Sequence, residues 1–213
     1  MTSLLRGTAF ITGAAKGIGR ATAEAFARHG VSRLAVADID MDGLKETKEI
    51  IRAQRPDFEV TELKLDVRDS GQVKDGLARI KKRFGRLDIA VNNAGIGTLG
   101  TRTHEMDEAV WTKVLDIDLF GVWRCQKEEL IAMVEQEDLG VREGRGRIIN
   151  VSSMYGLKST GPHLPSTPYV TSKHGENLSS WPMPAPTPGF AALIDKTQEL
   201  LDSQERMRPA TAI

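Results

Sequence analysis

The sequence predicts an α/β fold, a doubly wound parallel sheet with helices on both faces. Three observations carry this. Short β-rich runs alternate with amphipathic stretches of helical length through the first half of the chain. A helix between two successive strands is a crossover, and crossovers of that kind are right-handed and leave the strands parallel. A glycine-rich turn lies between the first strand and the first helix.

The predicted strands are Thr8-Ala9-Phe10-Ile11-Thr12 and residues 34–37, 60–65, 87–91 and 147–151. The helical stretch 19–29 is alanine-rich and stops at Gly30, a residue suited to a C-cap. Residues 42–54 place Leu44, Ile50 and Ile51 on one stripe, and residues 73–84 do so with Val73, Leu77, Ile80 and Phe84. Residues 111–135 read as one long helix carrying Gly121. From Trp181 to Pro188 every second residue is proline, which can be neither helix nor central strand and reads as an extended segment. Residues 191–207 have the apolar spacing of a terminal helix. The chain therefore divides into a main α/β domain, 1–180, and a Pro-rich segment with an atypical tail, 181–213.

Length and composition bound the function. A chain of 213 residues holds one such domain. Lysine plus arginine and aspartate plus glutamate are 29 each, so nothing points to nucleic acid or to an anionic membrane surface. Cys125 is the single cysteine, which fits a reducing, cytoplasmic setting. The opening residues are too short for a signal-peptide core, and no apolar run reaches membrane-spanning length. Histidine and cysteine spacing predicts no metal site.

The turn Thr12-Gly13-Ala14-Ala15-Lys16-Gly17-Ile18-Gly19 follows a strand and opens a helix. In a dinucleotide site Gly13 permits the tight turn, Gly17 lets backbone approach the pyrophosphate, and Gly19 allows close packing of helix on sheet. The helix N-terminus adds unpaired N–H groups and a favourable dipole for phosphate. An acid, Asp38, stands 19 residues past Gly19 at the end of the second strand. Its carboxylate would accept from ribose hydroxyls and repel a 2′-phosphate, which favours NAD, while Lys16 and Arg20 nearby leave NADP open. A structural glycine turn and a solvated strand-end aspartate are the bland alternatives.

The spacing T-G-x-x-x-G-x-G, with four further motifs in order, resembles the classical short-chain dehydrogenase/reductase family. These are Asp66-Val67 after the third strand, Asn92-Asn93-Ala94-Gly95 after the fourth, Ile149-Asn150-Val151-Ser152-Ser153 after the fifth, and Tyr169-Val170-Thr171-Ser172-Lys173, a Y-x-x-x-K. The resemblance covers about residues 7 to 175 and implies a Rossmann-type fold and an NAD(P)-dependent oxidoreductase acting on a small alcohol or carbonyl compound. It implies that Gly13, Lys16, Gly17, Ile18, Gly19, Asp38, Asp66, Val67, Asn93, Ala94, Gly95, Tyr169 and Lys173 bind the cofactor, and that Ser153, Tyr169 and Lys173 are catalytic. Residue chemistry agrees. Tyr169 and Lys173 are four apart and share a helix face. A lysine cation favours the phenolate of a tyrosine, whose ordinary pKa is about 10. Such a tyrosine can exchange a proton with an alcohol or carbonyl, and a serine hydroxyl can hydrogen-bond the substrate oxygen.

Two departures stand out. Asp118 occupies the place of a family asparagine that helps hold a water in a proton relay to the lysine. A carboxylate accepts but does not donate unless protonated, and it adds negative charge near Lys173. After Lys173 the family has a sixth strand, where this chain has the proline run. The expectation is a truncated or altered C-terminal part, with the sixth and seventh strands missing or disrupted and the fifth strand's apolar face poorly covered. The helix bearing Tyr169 and Lys173 would have about two turns before Pro182. Homo-oligomerisation is possible, but the family's interface helices are altered. Three readings follow: a hydride-transferring oxidoreductase, a catalytically impaired nucleotide-binding remnant, and a scaffold binding proteins through its Pro-rich tail.

Overall fold

The computed structural model describes residues 5–98, 100–140, 144–159, 161 and 165–179. The elements run β1 (Thr8–Thr12), α1 (Gly17–Arg28), β2 (Arg33–Asp38), α2 (Met41–Gln54), β3 (Glu59–Lys64), α3 (Ser70–Phe84), β4 (Ile89–Asn92), α4 (Glu108–Leu115), α5 (Val122–Val134), β5 (Arg147–Asn150) and α6 (Thr167–Ser179). The strands form one parallel sheet in the order β3-β2-β1-β4-β5. The proline run, the 191–207 helix and the boundary near 180 lie outside the described residues.

Strand alternation builds two cores, one on each face. Ala9, Ile11, Leu34 and Val36 pack with Leu44 and Ile51 of α2 and Ala23 and Ala27 of α1. Phe10, Ala35, Ala37 and Leu63 point the other way, onto Leu77, Ile80 and Phe84 of α3 and Cys125 and Met133 of α5. Period-two side chains meeting helices on both faces leave β1 buried throughout and β2 buried from Leu34 to Ala37. The edge strand β5 differs: Ile149 is 46% exposed.

Helix ends follow side-chain chemistry. Asp40, Asp69 and Asp107 accept backbone N–H bonds at the starts of α2, α3 and α4, and Gly85 ends α3 at φ +81°. Strand and helix limits otherwise agree with the sequence reading to within a few residues. The predicted single helix over 111–135 is instead three pieces: α4 starts earlier, at Glu108, and a π-helical segment, Asp116–Gly121, separates it from α5. A 3.6-residue periodicity cannot register a turn that holds one extra residue. Gly121 is required there, because a Cβ would lie 2.7 Å from Val67 Cγ2. The catalytic-motif helix is also longer than the two turns expected. α6 has 13 residues, and Pro168 sits in its first turn, where a missing N–H costs little.

A polar ladder anchors α5 to the carboxyl ends of β4 and β5. Asn92 Nδ2 donates to Glu129 Oε2 (2.9 Å) and Asn150 Oδ1 (3.0 Å), and Asn150 Nδ2 donates to Gln126 Oε1 (3.0 Å). Glu129 is fully buried, and burial pushes its carboxyl up to about 8. The proton is retained in the folded chain through a range where the unfolded carboxyl has lost it. Stability from this group is therefore intact below its ordinary value of 4.5 and lost as pH rises through about 8. Glu129→Gln keeps the bond from Asn92 without an ionisable proton. The thermal midpoint of the variant should rise relative to wild type as pH goes from about 5 to 8, corresponding to a stability gain on the order of a few kcal/mol. Parallel melting curves across that range would refute it.

Candidate active site

All five strand ends that carry motifs open on the same edge of the sheet, the carboxyl edge, where the chain leaves β1 and β4 in opposite directions. Two loops meet there. Thr12 Oγ1 accepts from the N–H groups of Asn93 (3.0 Å) and Ala94 (3.1 Å), and Asn93 Nδ2 donates to the carbonyls of Thr12 (3.0 Å) and Gly13 (3.2 Å). The Asn93 amide thus braces the glycine loop. Gly13 has φ +65°, and a Cβ on it would lie 2.8 Å from Ala94 Cα. A Cβ on Gly19 would lie 2.2 Å from the carbonyl oxygen of Gly13, so the helix start and the turn touch backbone to backbone.

The open end of this loop fits a dinucleotide phosphate. Unlike α2, α3 and α4, whose starts are capped by aspartates, α1 has Lys16 at its N-cap with no side-chain cap bond, and no acid lies in its first turn. A Cβ at Gly17, φ +59°, would meet nothing within 4 Å. Unclaimed N–H groups beside open space suit an anion. Next to it, Asp38 Oδ2 accepts from Ala15 N–H (3.0 Å) and Oδ1 from Asp40 N–H (3.1 Å). Two apolar side chains flank this corner in the open, Ile18 (67% exposed) and Ile39 (64%). Arg20, expected near the same pocket, is held by Glu46 (2.7 Å), Thr47 Oγ1 (3.1 Å) and the carbonyl of Ala15. Asp66 pairs with Arg68, which holds its carboxyl below the usual range, and Val67 is buried beneath Gly121.

The other motifs converge from β5 and α6. Ser153 Oγ accepts from Tyr155 N–H (3.2 Å) and starts a short 3-10 turn, Met154–Gly156. That turn packs on α6, with the Tyr155 and Tyr169 rings edge to face, centroids 6.5 Å apart. Lys173 Nζ lies 5.9 Å from the Tyr169 ring centroid and donates to the carbonyl of Val151 (2.9 Å). Asp118 is buried in the π segment and accepts from Ile96 N–H (2.8 Å), tying the loop after β4 to it. Burial pushes the Asp118 carboxyl up to about 6 against the pull of that bond and of Lys173. Loop 96–105 meets the start of α6 through Gly100 N–H to the Pro165 carbonyl (3.1 Å) and Thr103 to Thr167 (2.7 Å between hydroxyls). The sequence reading missed Glu176, which pairs with Lys173, and the acid Glu129 of the ladder. Spacing alone could have flagged the first, since i and i+3 share a helix face.

Known proteins carry the same arrangement of sequence and fold. The family model described as short chain dehydrogenase matches residues 7–179. Oxidoreductase YxbG of Bacillus subtilis is 40% identical over 149 residues, 70% of this chain and 50% of that protein. Levodione reductase of Leifsonia aquatica is 34% identical over 165 residues, 78% of this chain and 58% of that protein. The crystal structure of carveol dehydrogenase from Mycobacterium avium in complex with NAD superposes with a TM-score of 0.72 at 30% identity, over 82% of this chain and 63% of that one. The chain spans about half to three fifths of the length of the curated relatives it matches.

The two glycines should separate in a urea melt. Gly17→Ala meets only backbone strain, about 1–2 kcal/mol. Gly19→Ala drives a methyl into the Gly13 carbonyl and should cost distinctly more, with a lower urea midpoint than Gly17→Ala; equal midpoints would count against the loop geometry.

Proposed function

The chain belongs to the short-chain dehydrogenase family, and we propose that it is an oxidoreductase exchanging hydride between NAD(H) and a small alcohol or carbonyl substrate. The observation that carries this is that Ser153, Tyr169 and Lys173 gather at the same carboxyl edge of the sheet as an uncapped helix start with open space before it. A nicotinamide dinucleotide, when bound, supplies the hydride acceptor or donor. The residues do the rest. The N–H groups opening α1, with Gly13, Lys16, Gly17, Ile18 and Gly19, hold the pyrophosphate. Asp38 accepts from the adenosine ribose hydroxyls, which favours NAD over NADP. Asp66, Val67, Asn93, Ala94 and Gly95 line the path between the two ends.

Tyr169 takes the proton from an alcohol, or gives one to a carbonyl in reverse, and Ser153 donates to the substrate oxygen where charge develops. Lys173 steadies the phenolate with its ammonium and holds the nicotinamide ribose. Asp118, with a carboxyl near 6, accepts in the proton relay at neutral pH. Cys125 is buried, and burial pushes its thiol up, so it offers no competing nucleophile. One relative is named a levodione reductase and one similar structure a carveol dehydrogenase, which supports a substrate of the alcohol or carbonyl class.

Titration with NADH and NADPH, followed by cofactor fluorescence, should show the tighter site for NADH, and Asp38→Ala should narrow the difference. Tyr169→Phe should lower turnover by about 100-fold or more and leave NADH affinity within a few-fold. Full turnover in that variant would sink the acid–base role. NADH binding with no turnover of any alcohol or carbonyl tested would favour the nucleotide-binding remnant instead.

A further inference from the structure

Lys173 does not stand beside Tyr169 alone. One turn further along α6, Glu176 Oε2 lies 2.7 Å from Lys173 Nζ, and both side chains are buried. The ammonium is fixed at hydrogen-bond distance by this carboxylate and by the Val151 carbonyl, while the Tyr169 ring centroid is farther away, at 5.9 Å. Either charge buried by itself would be strongly disfavoured, so each accounts for the burial of the other.

Charges on the neighbouring elements sharpen the picture. From the π segment, Asp118 is drawn toward Lys173 and repelled by Glu176, and Asp116 is taken up by Arg124 (2.8 Å). From the 3-10 turn, Tyr155 packs on the Tyr169 ring. The charged residues of α4, Glu108 and Lys113, are exposed, as is His174 on α6 itself. Among the described residues one buried cation therefore faces two buried carboxylates.

We propose, resting on the reading of Tyr169 as the acid–base group, that Glu176 is a positioning residue that fixes the Lys173 ammonium and offsets its charge. The charge that Lys173 presents to the Tyr169 phenol is then set by this carboxylate as well as by the lysine. An unpaired ammonium within about 6 Å favours an anion strongly, and a carboxylate in contact with that ammonium cancels most of its field. The consequence is directional. Carbonyl reduction needs the phenol as proton donor, and alcohol oxidation needs the phenolate as acceptor. By offsetting the ammonium, Glu176 favours the phenol over the phenolate and with it the direction that reduces a carbonyl.

The chain has two tyrosines, Tyr155 and Tyr169, so Tyr155→Phe leaves one phenol to follow by its phenolate absorbance, with neither cofactor nor substrate present. In that background, Glu176→Gln and Glu176→Leu should each bring the Tyr169 step to lower pH by about one unit or more. A step that stays in place or moves upward overturns the proposal. Lys173→Met in the same background should delay the step. If it does not, the tyrosine–lysine reading itself fails. If Lys173→Met moves the step and the Glu176 variants do not, only the role of Glu176 fails. Should neither Glu176 variant melt cooperatively, the carboxyl carbon resonance of Glu176 in the wild-type chain decides: a carboxylate at pH 7 supports the proposal, and a protonated acid overturns it.

Discussion

Thr12 and Asn93 tie together two loops that the sheet topology drives apart. β1 sends its chain to one face and β4 sends its chain to the other, which opens a crevice at the carboxyl edge. Left to themselves, two such loops would be free to spread. The Thr12 hydroxyl accepts from two successive N–H groups of the β4 loop, and the Asn93 amide returns two bonds to the β1 loop. The crevice is thereby given a rigid floor. The start of α1 is aimed from it, Asp38 is fixed beside it through Ala15, and the loop that continues from Gly95 reaches Asp118. Side chains that one would assign to a ligand are here spent on shaping the cleft.

How much of this was legible in the sequence differs between fold and site. Strands such as Thr8–Thr12 and helices such as Ser70–Phe84 follow from apolar periodicity and turn chemistry, which are local properties. The glycine loop was legible because each glycine answers a separate steric demand. The π segment was not, since adding one residue to a turn leaves the apolar spacing almost unchanged. The partners of polar side chains were also beyond reach. Arg20 looked like a phosphate ligand by proximity in sequence, yet Glu46 and Thr47 of α2 hold it. Asn92 and Asn93 read as one motif, yet they face different elements, one bracing α5 and the other the glycine loop. Which way adjacent side chains turn depends on residues dozens of positions away.

Acid side chains in this fold are used in two ways. At exposed helix starts, Asp40, Asp69 and Asp107 neutralise unpaired N–H groups. Inside, Glu129, Asp118 and Glu176 stand where solvent cannot reach and depend on named partners: an asparagine, a backbone N–H and a lysine. Burial raises the carboxyl of all three. The interior around α5 and α6 is therefore an acidic region whose proton content changes across the physiological range, while the glycine-loop half of the sheet is held by apolar contacts and neutral amides.

The π segment also sets a phase. Every residue added to a helix rotates all that follows by about 100°. The extra residue between α4 and α5 is the one that turns Gln126 and Glu129 toward Asn150 and Asn92. Losing a single residue from Asp116–Gly121 would leave a smoother, regularly bonded α-helix. It would also turn the polar ladder out of line with the strand ends and bring exposed apolar side chains such as Trp123 and Val134 into the places now held by Val122 and Met133. Length in this stretch is thus constrained more tightly than residue identity, and a one-residue deletion there is a heavier lesion than most substitutions.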